Sequence, residues 1–329
     1  MRKGLRGNYK KPRNFVPNKK DRFYTKEDIF VSRIASILLI PKNKVNGIFS
    51  QRAITTIRLN PLKGDTEDTK KSLIGKGYEL QEVSGVKDTY FVLNRDKSEI
   101  SQTQEYVDGK FYIQNLSSIL ATLVLDPKEN EKILDMCAAP GSKTTHISAL
   151  MNNTGQIIAN DSEISRVSAL RNVLEQFGVK NAKATLSDAN DFGKKYPEYF
   201  DRVLLDAPCS GEGMIYMQGT KPLRFWGIDK IKRCSYLQKD LILSAFRALK
   251  EGGTLVYSTC TLEPEENEGV VSYLLEHYPN AIVEDTGLKF DKGITKWSGN
   301  IYDPKVRNST RIVPSSKNMG FYIARIKKV

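Results

Sequence analysis

The sequence predicts an α/β protein built on a seven-stranded, mostly parallel, doubly wound sheet, with a small α+β domain ahead of it. Three observations carry that prediction. From about residue 130, short apolar runs alternate with helical patterns, as a parallel sheet with crossover helices requires. Four of those runs, "ILD", "IIAND", "TLSD" and "VLLD", end on an acid: Asp135, Asp161, Asp188 and Asp206. The chain has 329 residues, too many for one minimal domain and enough for about two of roughly 150 residues each.

Residues 1–22 are basic and polar with little to bury, and are expected to form a disordered arm. Arg2, Lys3, Arg6, Lys10, Lys11, Arg13, Lys19, Lys20 and Arg22 face a single acid, Asp21. Such a run is either a solvated tail without a target or an arm that grasps RNA. A small α+β domain is expected at residues 23–105. It holds a helix in "KEDIFVSRIASILLI", a β-branched strand in "AITTIRLNPLKGD", a short glycine-stopped helix in "KKSLIGKGYELQEV" and a strand in "DTYFVLNR".

The second domain is expected at residues 106–329. "KILDM" is a strand, "KTTHISALM" a helix and "QIIAND" a strand. In "EISRVSALRNVLEQFG" the residues Ile164, Val167, Leu170, Leu174 and Phe177 recur every three or four positions, and Gly178 supplies the stop. "KATLSDA" and "FDRVLLDAP" are strands. The helix "DKIKRCSYLQKDLILSAFRALKEGG" is expected to end on Gly252 and Gly253 and to lead into the strand "TLVYSTC". A helix in "EENEGVVSYLLEHY" and strands in "AIVED" and "GFYIARI" complete the sheet.

Composition narrows the function. Hydrophobic content is 40%, and no run approaches the roughly 18 apolar residues of a membrane span. The basic start lacks the apolar stretch of a signal peptide, so an intracellular, cytoplasmic protein is expected, and a monomer. Cys137, Cys209, Cys234 and Cys260 are widely spaced and form no CxxC pair, which argues against disulfides and against a metal site. A net charge of +13 exceeds what solubility needs and favours a phosphate backbone as partner.

The turn after the first strand of the large sheet, "DMCAAPGSKTT", narrows the cofactor. A dinucleotide fold would show G-x-G-x-x-G there, and a P-loop needs a glycine directly before the lysine and another five residues ahead of that one. Ser142 and Cys137 occupy those two places. Only Gly141 is a glycine, and Ala138 and Ala139 leave room for a compact ligand. Asp161 ends the second strand, where an acid commonly accepts hydrogen bonds from ribose hydroxyls. A nucleoside without phosphates fits best, and S-adenosylmethionine is the obvious one.

Two further motifs place thiols at neighbouring strand ends. "DAPCSG" sets Asp206, Pro208 and Cys209 after the fourth strand, and "STCT" sets Cys260 after the fifth. Adjacent strands lie about 5 Å apart, so two thiols and a carboxylate can converge on one small ring. C5 of cytosine is a weak carbon nucleophile until a thiolate adds at C6 and converts the ring to an enamine. Cysteine suits that addition, and Asp206 can hydrogen-bond the N3/N4 edge.

"DMCAAPGSKT", "DAPCSGEG", "GGTLVYSTCTLEPEENE" and "RIVPSSKNMGFYIAR" together resemble the Fmu/Sun (NOP/Sun) family of RNA cytosine-C5 methyltransferases, over roughly residues 105–328, with weaker agreement in "IRLNPLKGD". The resemblance implies a Rossmann-like class I methyltransferase fold and 5-methylcytosine formation in ribosomal or transfer RNA. It implies that Cys260 attacks the base and that Cys209 assists its release. It also implies that Cys137, Ala138, Ala139, Pro140, Gly141, Ser142 and Lys143, with Asp161, Asp188 and Asp206, hold S-adenosylmethionine. It further implies that the small N-terminal domain helps to hold RNA. Ser315 stands where family members often carry a histidine, and no role is assigned to it.

Cys137 and Cys234 read as packing residues, His146 as a packed or surface residue, and His277 as a helper at a helix C-terminus. Phe225 and Trp226 are equally suited to stacking on a flipped base and to ordinary loop packing. A second hypothesis is a non-catalytic RNA-binding protein that keeps the fold, which the presence of both motif cysteines and all the cofactor acids disfavours.

Overall fold

The computed structural model describes residues 24–329. The arm expected over residues 1–22 lies outside them. Helix α1 (Lys26–Leu38) starts at Thr25, whose hydroxyl accepts from Asp28 N–H while the Asp28 carboxylate accepts from Thr25 N–H at 2.9 Å. Its buried face, Phe30, Ile34 and Ile37, meets Val45 and Phe49 of α2 (Lys42–Phe49). This helix pair packs against Leu223, Trp226, Ile231 and Leu262 of the second unit, not against the small sheet as expected. Its aromatic stripe finds a matching ring there, with Phe30 and Trp226 edge-on at 5.2 Å.

The small sheet has its own core, formed by Ile57, Leu73, Tyr90 and Phe111 among others. It contains β1 (Thr56–Leu59), α3 (Thr66–Gly75), β2 (Leu80–Glu82), β3 (Thr89–Val92), the short helices α4 (Lys97–Ile100) and α5 (Gln104–Val107), and β4 (Phe111–Ile113). The antiparallel order is β2-β3-β1-β4. Because β4 pairs with β1, this sheet runs past residue 105.

The second unit follows with α6 (Leu116–Leu125), β5 (Lys132–Asp135), α7 (Ser142–Leu150), β6 (Gln156–Asp161), α8 (Ile164–Gln176), β7 (Ala182–Leu186), α9 (Phe192–Lys195) and β8 (Phe200–Asp206). Next come α10 (Ile228–Ala248), β9 (Leu249–Thr259), α11 (Glu268–His277), β10 (Ala281–Glu284) and β11 (Asp291–Lys292). A hairpin of β12 (Lys296–Trp297) and β13 (Asn300–Ile301) precedes β14 (Thr310–Ile312) and β15 (Phe321–Lys328). The seven expected strands lie in the order β7-β6-β5-β8-β9-β15-β10, parallel from β7 to β9 and antiparallel on both sides of β15. β14 shares the far edge of β15 with β10, and β11 joins β14, so the sheet has nine strands where seven were expected.

Alternation along the central strands supplies two cores. Ile133, Leu204 and Val256 face Leu120 and Ile147 on one side, while Leu134, Val203 and Tyr257 face Leu241, Phe246 and Leu274 on the other. One boundary differs from expectation. Helix α10 ends at Ala248, and Gly252 and Gly253 lie inside β9, where the pairing with β8 shifts register and Gly252 adopts φ 72°. These glycines serve a strand irregularity and not a helix stop. No helix among the described residues is long and apolar enough to cross a membrane.

Candidate active site

Strand order reverses between β5 and β8, and a crevice opens beyond the carboxyl ends of the strands at such a point. Here it is a cleft of about 660 Å³, within the range of roughly 300–1,000 Å³ that small-molecule sites occupy. β8 and β9 set its two thiols. Their parallel register puts Asp206 opposite Ser258, and Ser258 Oγ donates to Asp206 Oδ1 at 2.8 Å. Cys209 and Cys260 follow a few residues further on, line the cleft, and bring their sulfurs to 2.9 Å. The hydrogen bond with Cys260, together with burial, pushes the Cys209 thiol well above the ordinary range. Cys209 is thereby disfavoured as a thiolate and suited to donate a hydrogen bond.

Cross-bonds between the two loops hold this geometry. The hydroxyls of Ser210 and Thr261 are 2.9 Å apart, Gly213 N–H donates to Cys260 O at 3.0 Å, and Glu212 Oε1 accepts from Leu262 N–H at 3.1 Å. Gly213 has no room for a side chain, since a Cβ there would lie 2.1 Å from Gly320 O. That close approach explains a glycine in both "GEG" and "MGF". Sequence reasoning gave no role to the glutamates after Cys260, yet Glu263, Glu266 and Glu268 are fully buried. Arg33 pairs with Glu263 and, at 2.9 Å, with Glu265; Arg311 pairs with Glu268 at 2.5 Å. The available signal was an arginine on an otherwise apolar surface, in "IFVSRIASI" and in "TRI".

Glu266 Oε2 accepts from Ser210 N–H and from Gln238 Nε2, each at 2.9 Å, tying the Cys260 loop to the residue after Cys209. Burial pushes this carboxyl up to about 7, against those hydrogen bonds. With the folded value above the ordinary one, the folded chain holds more protons than the unfolded chain from about pH 4.5 to about 7. Stability from this group therefore falls as pH rises through that window. Glu266→Gln should flatten the fall in urea midpoint over that window relative to the parent chain; equal slopes in the two proteins would refute this account.

The cofactor side is built on the turn between β5 and α7. Gly141 caps α7 with φ 114°, and a Cβ there would press on Leu170 and Val173 at 3.0 Å. Cys137, Ala139, Asp161 and Asp206 line the cleft. Ala138 packs behind the wall with Leu170 and Leu174, and Pro140, Gly141, Ser142 and Lys143 lie off it. Lys143 Nζ reaches Asp206 Oδ2 at 2.5 Å, so its charge is spent on that carboxylate. Asp188 is exposed and off the wall, with Oδ1 accepting from Asn190 N–H at 2.9 Å as the cap of the next turn.

Asp161 is held by Arg166, whose Nη2 lies 3.2 Å from Oδ2 and also donates to Ala139 O at 2.8 Å. Arg166 was missed in the sequence, as was Asn160, whose amide donates to Met136 O at 3.2 Å and Ser187 O at 3.0 Å. Burial pushes Asp135 up to about 7, and its Oδ1 is buried without a hydrogen-bond partner. Burial, with Asp135, Asp206 and Asp161 adding to it, raises Cys137 far above the ordinary thiol range. A turn of small residues with carboxylates and no phosphate-cradling glycines fits a nucleoside that carries positive charge.

The remaining candidates separate cleanly. Trp226 is buried, with Nε1 donating to Glu212 Oε2 at 3.0 Å, whereas Phe225 is exposed at the cleft. Ser315 Oγ accepts from Asn318 N–H at 3.1 Å and shapes a turn. His146 is buried with Nδ1 unpartnered, and His277 Nδ1 lies 2.7 Å from Tyr273 O in the last turn of α11. Cys234 is partly buried in α10. No cluster of three His, Cys, Asp or Glu side chains suited to a metal occurs among the described residues.

Known proteins resemble the chain in sequence and in fold. The family model described as 16S rRNA methyltransferase RsmB/F matches residues 122–327. The chain is 44% identical over 276 residues to the tRNA (cytosine(49)-C(5))-methyltransferase of Pyrococcus abyssi, covering 83% of this chain and 88% of that one. It is 40% identical over 279 residues to the human 28S rRNA (cytosine(4447)-C(5))-methyltransferase, covering 83% of this chain and 34% of that one. It thus spans about a third of the length of that larger relative. A solved methyltransferase homologue from Pyrococcus horikoshii superposes with a TM-score of 0.81 at 33% identity, covering 93% of this chain and 96% of that one. NSun6 from the same organism, solved with SFG, shares the fold with a TM-score of 0.74 at 24% identity, covering 92% of this chain and 97% of that one. The chain belongs to the RsmB/F, or Fmu/Sun, family of RNA cytosine-C5 methyltransferases.

Proposed function

We infer that this chain is an S-adenosylmethionine-dependent methyltransferase that forms 5-methylcytosine in ribosomal or transfer RNA. The observation that carries the reading is the pair of sulfurs 2.9 Å apart on the wall of one cleft. Cys260 adds to C6 of the cytosine, and the electron pair released to C5 makes that carbon nucleophilic. Asp206, held by Lys143 and Ser258, hydrogen-bonds the N3/N4 edge of the ring. After C5 is methylated, its proton is lost to a base and the C–S bond breaks. The protonated Cys209 then donates to the departing sulfur of Cys260 and stabilises it as it leaves. The target base must leave its stack to enter the cleft, which costs least in a loop or single strand.

S-adenosylmethionine supplies the electrophilic methyl group. In this reading the turn at residues 137–143, with Asp161, Asp188 and Asp206, holds it. Asp161 offers its carboxylate to the ribose, and Arg166 keeps that carboxylate against the turn. Asp161→Ala should weaken S-adenosylmethionine binding by about 10- to 100-fold, the scale of hydrogen bonds to a charged group; calorimetry giving unchanged affinity would remove Asp161 from the site. Few, widely spaced cysteines are consistent with a cytoplasmic enzyme. Bisulfite sequencing of total RNA from cells with and without the gene tests the reading. A single cytosine that loses protection supports it, and identical maps would refute it.

A further inference from the structure

The outer wall of the cleft is the segment between β8 and α10, and its apolar side chains are not all core. Phe225 is 74% exposed and Met214 54% exposed, and both line the cleft with Tyr216. The exposure of Phe225 is imposed by its neighbours. Leu223 and Trp226 are buried in the core formed with α1 and α2. Trp226 is tied to Glu212 at 3.0 Å, and Lys26 Nζ donates to Leu223 O at 2.6 Å. A backbone pinned on both sides cannot turn Phe225 inward. Each rim ring also carries a cation. The Arg224 guanidinium lies 5.0 Å from the Phe225 ring centroid and the Arg52 guanidinium 4.5 Å from that of Tyr216. An apolar ring face left in water costs free energy unless something covers it, and aromatic faces flanked by guanidinium groups are how proteins take up unpaired bases and their phosphates.

We propose that Phe225, with Arg224 beside it and the Arg52–Tyr216 pair on the same cleft, is a stacking platform for an unpaired nucleotide adjacent to the target cytosine. The proposal rests on the RNA methyltransferase reading for what enters the cleft. Phe225 takes the face of the neighbouring base, and Arg224 and Arg52 meet the phosphates on either side. Every base has a π-face, so the platform accepts any base but requires that it be unstacked. Paired RNA is thereby rejected at the rim, before the cytosine reaches the thiols.

The test uses the full chain and a short RNA stem-loop with one cytosine in its loop, with affinity read by fluorescence anisotropy at fixed salt without S-adenosylmethionine. Phe225→Ala should weaken binding roughly 5- to 150-fold, the equivalent of one base–aromatic stack. Phe225→Trp should restore most of it, while Phe225→Leu, apolar but unable to stack, should not. Making each loop neighbour of the cytosine abasic in turn should weaken the parent chain at one position, and there Phe225→Ala should lose nothing further. Arg224→Ala should instead lower the salt dependence by about one phosphate contact. In turnover the Phe225→Ala loss should fall on KM rather than kcat. Parent-like binding by Phe225→Leu, or abasic and alanine penalties that add fully at every position, would overturn the platform. Failure of the methyltransferase reading looks different: the parent chain would transfer no methyl group to any RNA while this binding pattern stood.

Discussion

Cys260→Ala should abolish methyl transfer and the covalent RNA adduct together, whereas Cys209→Ala should abolish turnover and leave an adduct that survives denaturing electrophoresis. The difference follows from geometry and protonation. The sulfurs lie 2.9 Å apart, so either could in principle reach the ring, but the hydrogen bond with Cys260 and burial push the Cys209 thiol up, which favours Cys209 as donor. A thiol is a poor nucleophile and a useful donor. Losing the attacking sulfur should lower the rate on the order of 10⁶-fold, the scale seen when a covalent nucleophile is removed. Losing the donor leaves attack intact and strands Cys260 on the base, because its sulfur must then depart without a hydrogen bond. An adduct that forms in Cys260→Ala and not in Cys209→Ala would exchange the two roles. Labelled methyl transfer to RNA, read alongside the gel, separates loss of attack from loss of release.

The second large effect is expected at a distance from the sulfurs. Arg311 on β14 and Glu268 at the start of α11 form a buried ion pair at 2.5 Å, and Arg311 also donates to Leu262 O. Both side chains are almost fully buried. Removing one partner leaves the other charge in the interior, which costs about 3–5 kcal/mol, whereas replacing both with apolar groups of similar size is often close to neutral. Arg311→Met should therefore destabilise the chain by that amount, and the double variant Arg311→Met, Glu268→Leu should recover most of it. Because Leu262 lies two residues beyond the attacking cysteine, the single variant should also lose methyl transfer beyond what its unfolded fraction explains. Denaturant midpoints followed by tryptophan fluorescence check the first claim and activity per folded molecule the second. A single variant within about 1 kcal/mol of the parent would show that the pair does not carry a full buried charge.

Much of this was legible in the chain because the signals are local. Strands that end on acids, a glycine where φ must be positive, and cysteines after two strand ends report on backbone periodicity and strand order, which neighbouring residues decide. The resemblance to the family added the roles of the sulfurs. What could not be read is the set of long-range pairings. The arginines that neutralise Glu263 and Glu268 lie 230 and 43 positions away in the chain. Glu266 looks like any surface glutamate until Ser210 and Gln238 are brought to it. Asp188 shows another limit of the sequence: its position after a strand suggested a ligand contact but not the turn cap that its Oδ1 also makes with Asn190 N–H. The helices α1 and α2 read as part of a first domain and pack on the second, because an apolar helix face does not encode which surface will cover it.

By itself, the sequence determined strands that alternate with helices, a turn without phosphate-cradling glycines and two cysteines on consecutive strand ends, since strand period, turn sterics and residue chemistry are properties of short segments. Only the tertiary structure decided which carboxylates are buried and paired, that the Cys209 thiol is pushed up, and which of Phe225 and Trp226 is exposed. Those outcomes depend on burial and on charges brought close by folding, and both are set by the whole chain.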